Sequence, residues 1–356
     1  MPRLPTSLLR RARHEHSLLP LLFRTCRDLP SARNELRWLR EHILETASPK
    51  SPPSTRHQRL YELCLQRSKG KPLQYILGSQ PFGNLEILCK PGVLIPRPET
   101  DLLTTHLAQT LLSYPPLPPT IHILDLCTGT GCIPLLLHSL LHPSIPHPHI
   151  HIHGIDISPL AMSLARKNLH HNTRHLHPSS QISFQQADIF DTEWLNGIKA
   201  ESSKKWKWDI LISNPPYISP HAFNNGSTAR SVRNYEPKIA LVPTTPTYSS
   251  TDAPETGGDM FYPRLLHIAN ELQVGVFVVE VADMAQAKRV VGMVRERGAW
   301  EGVEVWRDFP EQGGRDGTGE VVEVDGRDGR DVRVRGEGEG RAVVAWREGW
   351  GGVFEG

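Results

Sequence analysis

Three features are scarce in this 356-residue sequence: long apolar runs, paired cysteines and an excess of charge of one sign in its middle part. The longest apolar runs, such as residues 133–137 and 274–279, are far shorter than the roughly 20 residues that a membrane-spanning helix needs. The five cysteines form no C-x-x-C pair, which argues against a zinc finger and a disulfide framework. We therefore expect a protein of a reducing compartment, without a membrane span and with about two domains.

The charge balance differs between the ends and the middle of the chain. Residues 1–60 contain 12 Lys and Arg against 5 Asp and Glu, residues 61–300 contain 20 against 19, and residues 301–356 contain 8 against 14. A protein that grips a nucleic-acid backbone concentrates Lys and Arg at its cleft, because phosphate neutralisation supplies most of the affinity. The neutral middle part therefore argues against direct nucleic-acid binding.

The first residues are rich in arginine. Arg3, Arg10, Arg11 and Arg13 precede the first acidic residue, Glu15, a composition that is typical of a mitochondrial import leader over residues 1–14. The alternative is that these arginines decorate the first helix of the folded protein, in which case a cytoplasmic location is expected.

Hydrophobic spacing divides the chain into three parts. We expect a helical, partner-binding domain over residues 1–70, a β-hairpin linker over residues 71–95, and a catalytic domain over residues 96–356. Strands and helices alternate in the last part, which predicts an α/β fold with a doubly wound, mostly parallel sheet. The segments 197–208, 243–258 and 312–340 are expected to be loops or disordered insertions.

A glycine-containing turn follows the first strand of the predicted sheet, in the sequence ILDLCTGTG at residues 123–131. Glycine allows the backbone to approach a ligand closely and to adopt a positive φ angle. Asp156 ends the next predicted strand, where a carboxylate can accept hydrogen bonds from both hydroxyls of a ribose. The turn and the acid together predict a site for a cofactor that contains a nucleoside.

A second motif, N-P-P-Y at residues 214–217, follows the predicted strand 209–213. This arrangement resembles methyltransferases that use S-adenosylmethionine to methylate a planar nitrogen. Three further segments narrow the resemblance to one family of these enzymes: LIPRPETD at 94–101, PLQYILG at 72–78 and NYEP at 234–237. From about residue 20 to 310 the chain resembles the HemK-like peptide chain release factor glutamine methyltransferases. It departs from them at Cys127, where the family generally has glycine, and in the Gly-rich stretch after Pro310.

The resemblance implies an S-adenosylmethionine-dependent enzyme that methylates a glutamine side chain of a release factor and so supports translation termination. The expected leader would make it a mitochondrial member of the family. It implies cofactor contacts by Thr128, Gly129, Thr130, Gly131, Asp156, Asp188 and Asn214, and it places Arg97 and Glu99 at the glutamine site. Asp188 could instead cap a helix near Thr192, and Arg97 and Glu99 could simply begin a surface helix. Glu236 and Glu280 match family positions, but the sequence indicates no role for them.

The residue types of the second motif suit the methylation of an amide, whose nitrogen is a poor nucleophile. The Asn214 side-chain oxygen and the Pro215 carbonyl can accept both NH2 hydrogens, and the Tyr217 ring can pack near the sulfonium methyl. The proton can leave after the methyl group arrives, so positioning carries the reaction and no metal is needed. We expect the catalytic residues to be Asn214, Pro215, Pro216 and Tyr217.

The sequence leaves three alternatives to this function. The histidine-rich run 147–153 could present several imidazoles on one side of a strand, but no acid or cysteine completes a metal site there. An adenine or cytosine amine methyltransferase would use the same motif on a base flipped out of the nucleic acid. The lack of net positive charge in residues 61–300 argues against this function. A non-enzymatic protein that docks on a translation factor is disfavoured by the intact motif and by Asp156. We expect a monomer.

Overall fold

The N-terminal part of the chain is helical. The computed structural model describes residues 4–48, 52–113, 117–142, 149–177, 181–202, 206–243, 255–312, 320–323 and 331–354. Five helices come first: α1 (Thr6–Glu15), α2 (Leu19–Cys26), α3 (Leu29–Thr46), α4 (Pro53–Ser68) and α5 (Leu73–Leu77). Leu22, Phe23 and Leu39 are fully buried where these helices meet, so this part of the protein has an apolar core of its own.

Helix α1 contains most of the segment that the sequence suggests as a leader. Ala12 is fully buried in the helical core, and Leu8 and Leu9 pack against the same cluster. The Arg11 guanidinium donates a hydrogen bond to Glu15 over 3.2 Å. The arginines of α1 therefore lie on a packed helix of this domain, and an import leader over residues 1–14 remains a prediction.

A β-hairpin follows the helices. Strands β1 (Ser79–Phe82) and β2 (Leu85–Leu88) pair antiparallel, with Phe82 opposite Leu85. The expectation that Tyr75 and Ile76 belong to this hairpin is wrong, because both lie in α5. Gly78 ends that helix with a φ angle of 87°, a left-handed conformation that glycine adopts without strain.

A nine-stranded sheet forms the centre of the rest of the chain, and its strands lie in the order β5-β4-β3-β6-β7-β11-β8-β10-β9. The ranges are β3 (Thr120–Leu126), β4 (His149–Asp156), β5 (Gln181–Gln186), β6 (Ile210–Ser213), β7 (Val276–Glu280), β8 (Gly302–Phe309), β9 (Glu320–Glu323), β10 (Asp331–Arg335) and β11 (Glu337–Trp346). The first five strands in this order are parallel, and β11 runs antiparallel to both β7 and β8. The predicted doubly wound, mostly parallel α/β sheet is confirmed.

Helices cover both faces of this sheet. Their ranges are α6 (Pro98–Ser113), α7 (Cys132–Leu141), α8 (Pro159–His171), α9 (Thr192–Ser202), α10 (Pro220–Asn224), α11 (Arg230–Tyr235), α12 (Phe261–Glu271), α13 (Met284–Glu296) and α14 (Gly351–Phe354), with 3-10 turns at Thr173–His175, Lys238–Ala240 and Glu255–Asp259. Ile123 of β3 joins the core under α6 and α7, whereas the next residue, Leu124, joins the core under α9, α12 and α13. This alternation is what a strand buried on both faces requires. Within the ranges given above, no helix has the length and apolar character of a bilayer span.

The segment 312–340 contains regular structure, so the expectation that it is a disordered insertion is wrong for the part that the structure describes. Strand β10 pairs parallel with β8, and β9 pairs antiparallel with β10, which extends the sheet by two strands. Val332 and Val334 of β10 are only 1% and 2% exposed, so burial of these alternate side chains holds the strand on the sheet. Residues 313–319 and 324–330 lie outside the described residues.

The other two expected insertions are residues 197–208 and residues 243–258. Helix α9 continues to Ser202, so the expectation of a loop over residues 197–208 is wrong for its first six residues. Trp194 and Ile198 lie one helical turn apart and are both buried, which extends the amphipathic pattern past Gly197. Most of the segment 243–258, namely residues 244–254, lies outside the described residues.

Asn168 of α8 and Asn172, the residue after this helix, attach the hairpin to the sheet domain. The Leu88 N–H donates to Asn168 Oδ1 over 2.7 Å, and the Glu86 N–H donates to Asn172 Oδ1 over 3.1 Å. Each asparagine returns a hydrogen bond from Nδ2 to the carbonyl of the same strand residue. Asn168 Nδ2 also donates to the Thr130 carbonyl over 3.0 Å. The edge of β2 is therefore bonded to α8, and through Asn168 to the glycine turn.

Candidate active site

A cavity of about 570 Å³ lies at the carboxyl ends of the parallel strands. This edge of the sheet, where the strand order reverses beside β3, is the usual ligand site of a doubly wound fold. The lining includes polar groups from the strand ends together with apolar side chains: Cys127, Gly129, Asp156, Asp188, Asn214, Pro216, Ile157, Ile189, Phe190, Ile239 and Phe261. The volume and the mixture of apolar and polar walls suit a small organic cofactor.

The glycine turn divides its residues between the cavity and the protein interior. Gly129 faces the cavity with φ of 55°, and a side chain added there would meet nothing closer than 4.0 Å. Gly131 has φ of 77° and lies against Phe184, whose ring carbon would be 2.9 Å from an added Cβ. The Thr128 and Thr130 side chains are buried. Of the four turn residues in the prediction, Gly129 lines the cavity, and contacts of Thr128, Thr130 and Gly131 with a cofactor remain predictions.

Cys127 takes the backbone conformation that glycine would supply. Its φ angle is 64°, in the left-handed region that non-glycine residues adopt infrequently. Burial raises the pKa of its thiol well above the usual range, and the carboxylates of Asp156 and Asp125 raise it further. The departure from the family pattern therefore leaves the turn geometry in place, at the cost of a strained residue with an un-ionised thiol in the cavity wall.

Asp156 connects the end of β4 to the glycine turn. Its Oδ2 accepts a hydrogen bond from the Gly129 N–H over 2.9 Å, and its Oδ1 accepts one from the Ser158 N–H over 2.8 Å. Burial raises the pKa of this carboxyl, and the two backbone N–H groups oppose that rise. Each carboxylate oxygen has a further lone pair, so the group can accept hydroxyl hydrogens at the cavity wall while holding the turn.

Asp188 follows the end of β5 and lines the cavity together with aromatic side chains. Its Oδ1 accepts a hydrogen bond from the Phe190 N–H over 2.9 Å, whereas Asp191 accepts the Glu193 N–H at the start of α9. The helix-cap alternative for Asp188 is therefore wrong, because Asp191 takes that position. The Phe190 and Phe261 rings meet edge to face at 5.1 Å, and both line the cavity. These rings offer an apolar surface for a planar base.

Two residues of the N-P-P-Y motif, Asn214 and Pro216, line the cavity. Asn214 follows β6, and its Nδ2 donates a hydrogen bond to the Thr100 hydroxyl oxygen over 2.9 Å. Pro215 and Pro216 are buried, and Pro216 lines the cavity. The Tyr217 hydroxyl donates to Glu280 over 2.9 Å, and burial next to this carboxylate raises the pKa of the phenol well above its usual range. Tyr217 is thus fixed through its hydroxyl, and packing of its ring against a substrate remains a prediction.

Arg97 and Glu99 lie at the start of α6. The Arg97 guanidinium pairs with Glu236 over 3.0 Å, and the other Glu236 oxygen accepts the Ile95 N–H over 3.2 Å. Glu236 is only 7% exposed, so this ion pair fixes the chain just before α6. The sequence indicated no role for Glu236, and the structure gives it this one. A substrate contact by Arg97 or Glu99 remains a prediction.

The residues present fit S-adenosylmethionine. Asp156 suits the ribose hydroxyls, the surfaces of Ile157, Phe190 and Phe261 suit the adenine ring, and the open space beside Gly129 suits the methionine part. Among the described residues, no group of three or more His, Cys, Asp and Glu side chains is arranged to hold a metal. The expectation of a metal-free mechanism remains a prediction, and His147 of the histidine-rich run lies outside the described residues.

Fold and site together define a methyltransferase of the class that uses S-adenosylmethionine, and the family model described as a methyltransferase domain matches residues 118–238. The mitochondrial MRF1 N(5)-glutamine methyltransferase of Saccharomyces cerevisiae is 38% identical over 247 residues, which cover 68% of this chain and 68% of that protein. The protein of Schizosaccharomyces pombe that is named a probable MRF1 mitochondrial N(5)-glutamine methyltransferase is 35% identical, over 78% of this chain and 84% of that protein. The release factor glutamine methyltransferase of Haemophilus influenzae is 32% identical, over 70% of this chain and 76% of that protein. The chain belongs to the release factor N(5)-glutamine methyltransferase family.

Proposed function

We propose that this protein transfers the methyl group of S-adenosylmethionine to the side-chain amide nitrogen of a glutamine in a peptide chain release factor, and thereby supports translation termination. The observation that carries the proposal is the orientation of Asn214 at the cavity wall. Because its Nδ2 already donates to Thr100, its Oδ1 is the atom left to accept a hydrogen bond. An acceptor at that place suits an incoming NH2 group.

The chain's own residues act by binding and orientation. S-adenosylmethionine supplies an electrophilic methyl group when it is bound. Asp156 and the aromatic wall hold the nucleoside part, which fixes where that methyl group lies. Asn214 and the Pro215 carbonyl accept the amide hydrogens and turn the nitrogen toward it. Two oriented reactants gain up to about 7 to 11 kcal/mol relative to free encounter, which makes positioning the main contribution.

We also propose that the helical domain contacts the release factor and that the protein acts in mitochondria. A glutamine on a loop gives the cavity little by which to select one protein, so specificity needs a second surface. The excess of 12 basic over 5 acidic residues in residues 1–60 lies in this domain. The mitochondrial location is supported by the names of the two yeast relatives.

The test is methyl transfer from labelled S-adenosylmethionine to a purified release factor, to total RNA and to DNA in parallel. The proposal expects label in the release factor, and a release factor with its accepting glutamine changed to glutamate should stay unlabelled. Label confined to nucleic acid would overturn the proposal in favour of an adenine or cytosine amine as the acceptor, since the same motif suits any planar NH2 group.

A further inference from the structure

A buried chain of hydrogen bonds extends from the last residue of β7 to the cavity wall. The Thr100 hydroxyl donates to Glu280 Oε2 over 2.6 Å, and Asn214 Nδ2 donates to the Thr100 oxygen over 2.9 Å. On the other side, the Tyr217 hydroxyl donates to Glu280 Oε1 over 2.9 Å. Thr100 is 2% exposed and Glu280 is fully buried, so water does not compete for these groups.

The chain has a fixed direction because it begins at a carboxylate. The Thr100 and Tyr217 hydroxyl groups donate to the two oxygens of Glu280, and these hydrogen bonds oppose the rise that burial causes in the pKa of the carboxyl. The Thr100 hydrogen is then committed to Glu280, so the Thr100 oxygen has only lone pairs to offer. Its other neighbour must present a donor. The Asn214 amide therefore has its NH2 group toward Thr100 and its carbonyl oxygen away from it.

We propose that Thr100, oriented by Glu280, is a positioning residue that fixes which end of the Asn214 amide faces the substrate. An asparagine amide is nearly symmetric in shape, so packing alone does not choose between its two orientations. In the orientation that Thr100 selects, Oδ1 accepts a hydrogen from an incoming NH2 group. In the reverse orientation, an NH2 group would meet an NH2 group. The inference rests on the proposed function, because it takes the substrate group to be an amide.

This arrangement also accounts for a choice between glutamine and glutamate. The two side chains have almost the same shape, but only glutamine carries hydrogens at the position that Asn214 contacts. An oxygen of Asn214 attracts the glutamine NH2 group and repels a glutamate carboxylate. The hydroxyl of Thr100 thus contributes to substrate specificity without touching the substrate.

The test compares three variants on the same helix. T100V replaces the hydroxyl by a methyl group of similar size, T100S keeps a hydroxyl, and T104V is the matched control. Thr104 is fully buried one turn further along α6 and donates to the Thr100 carbonyl over 2.6 Å, so T104V loses a buried hydroxyl without touching the Asn214 side chain. We expect kcat on a release factor to fall about 10- to 100-fold in T100V. T104V should leave kcat unchanged, and T100S should retain most of it.

A second measurement reports the orientation of the amide directly. Peptides that differ only in glutamine against glutamate are titrated, by calorimetry, into each variant saturated with S-adenosylhomocysteine. The wild-type protein and T104V should prefer the glutamine peptide, and T100V should lose most of this preference. The ratio of the two affinities does not depend on the fraction of folded protein, so a loss of stability in T100V cannot imitate the result.

A third measurement shows whether Thr100 acts through Asn214. In an N214A background the substitution T100V should have no further effect on kcat, because the group that Thr100 orients is gone. Equal effects of T100V in both backgrounds, or an unchanged peptide preference, would overturn the inference. If the wild-type protein methylates no glutamine at all, the proposed function fails instead, so the two failures can be told apart.

Discussion

Asp156 combines two tasks at the carboxyl end of β4. Its carboxylate holds the Gly129 and Ser158 N–H groups and faces the cavity, where the ribose hydroxyls of the cofactor are expected. We expect D156A to weaken S-adenosylmethionine binding by about 1.5 to 3 kcal/mol, the usual contribution of hydrogen bonds to a charged group. Isothermal titration calorimetry measures the change. An unchanged affinity would remove Asp156 from the cofactor site.

The candidate site could be predicted from the sequence where its residues belong to short motifs. Gly129, Asp156, Asp188 and Asn214 all line the cavity, because each follows or ends a strand whose pattern is readable. Thr100 lies in the segment LIPRPETD, but its role could not be found this way. It lies 114 residues from Asn214 and 180 residues from Glu280, and only the folded chain joins the three.

At the scale of elements, Asn168 of α8 bonds both to β2 and to the glycine turn. We expect N168A to lower the free energy of unfolding by about 2 to 4 kcal/mol, because it leaves the Leu88 N–H and two carbonyls without a partner. Urea denaturation measures this change.

The neighbouring asparagine provides the control for this prediction. Asn172 binds the backbone of Glu86 in the same manner but makes no bond to the turn. N172A should therefore destabilise the hairpin contact while leaving cofactor affinity unchanged, whereas N168A should weaken both. Equal cofactor affinity in the two variants would show that Asn168 does not support the turn.

The elements that sequence reasoning missed share a physical cause. The run at residues 73–77 is too short for its period to distinguish strand from helix, and Pro72 before it and Gly78 after it were the better signal. In β10, Val332 and Val334 alternate as in a strand, but the surrounding glycines and charges give the segment the composition of a disordered stretch. Long elements with buried faces, such as β3 and α6, were predicted because their patterns are longer.

At the scale of the whole molecule, three buried histidines make stability depend on pH. Burial lowers the pKa of His106, His122 and His138 to about 4 each. These groups stay neutral in the folded protein down to about pH 4, but they bind protons near pH 6.5 in the unfolded chain. Their contribution to the free energy of unfolding is therefore complete above pH 6.5 and is lost as pH falls from there toward 4. The buried carboxyl groups of Asp125 and Asp209 act in the opposite direction, because burial raises their pKa values to about 8 and about 6 and they bind protons in the folded protein at a higher pH than in the unfolded chain. The contribution of a histidine is therefore isolated by comparing its variant with the wild type.

Replacement of one of these histidines tests the assignment. His138 of α7 is fully buried, so His138→Leu should remove about 2 kcal/mol of the loss in stability between pH 7 and pH 5. Urea denaturation at the two pH values measures the difference. A variant that loses as much stability as the wild type would show that burial does not lower the pKa of His138 in the folded protein.

Recognition of the release factor by the helical domain can be tested without removing that domain. Deleting residues 1–70 would expose Leu73 and Ile76, so surface substitutions are the better probe. Trp38 of α3 and Tyr61 of α4 are 42% and 41% exposed. We expect W38A together with Y61A to raise KM for a whole release factor several-fold, as for a pair of aromatic contacts at an interface, and to leave KM for a short glutamine peptide unchanged. Equal changes for both substrates would exclude this surface.

The central claim is that the accepting atom is a glutamine side-chain nitrogen held by Asn214. The most direct measurement is mass spectrometry of a release factor after incubation with S-adenosylmethionine and the wild-type protein or its N214A variant. We expect one methyl group on a single glutamine side chain, formed at least 100-fold more slowly by N214A, about the effect of losing an oriented contact at the reacting group. Methylation of a different residue type, or an N214A variant as fast as the wild type, would contradict the account.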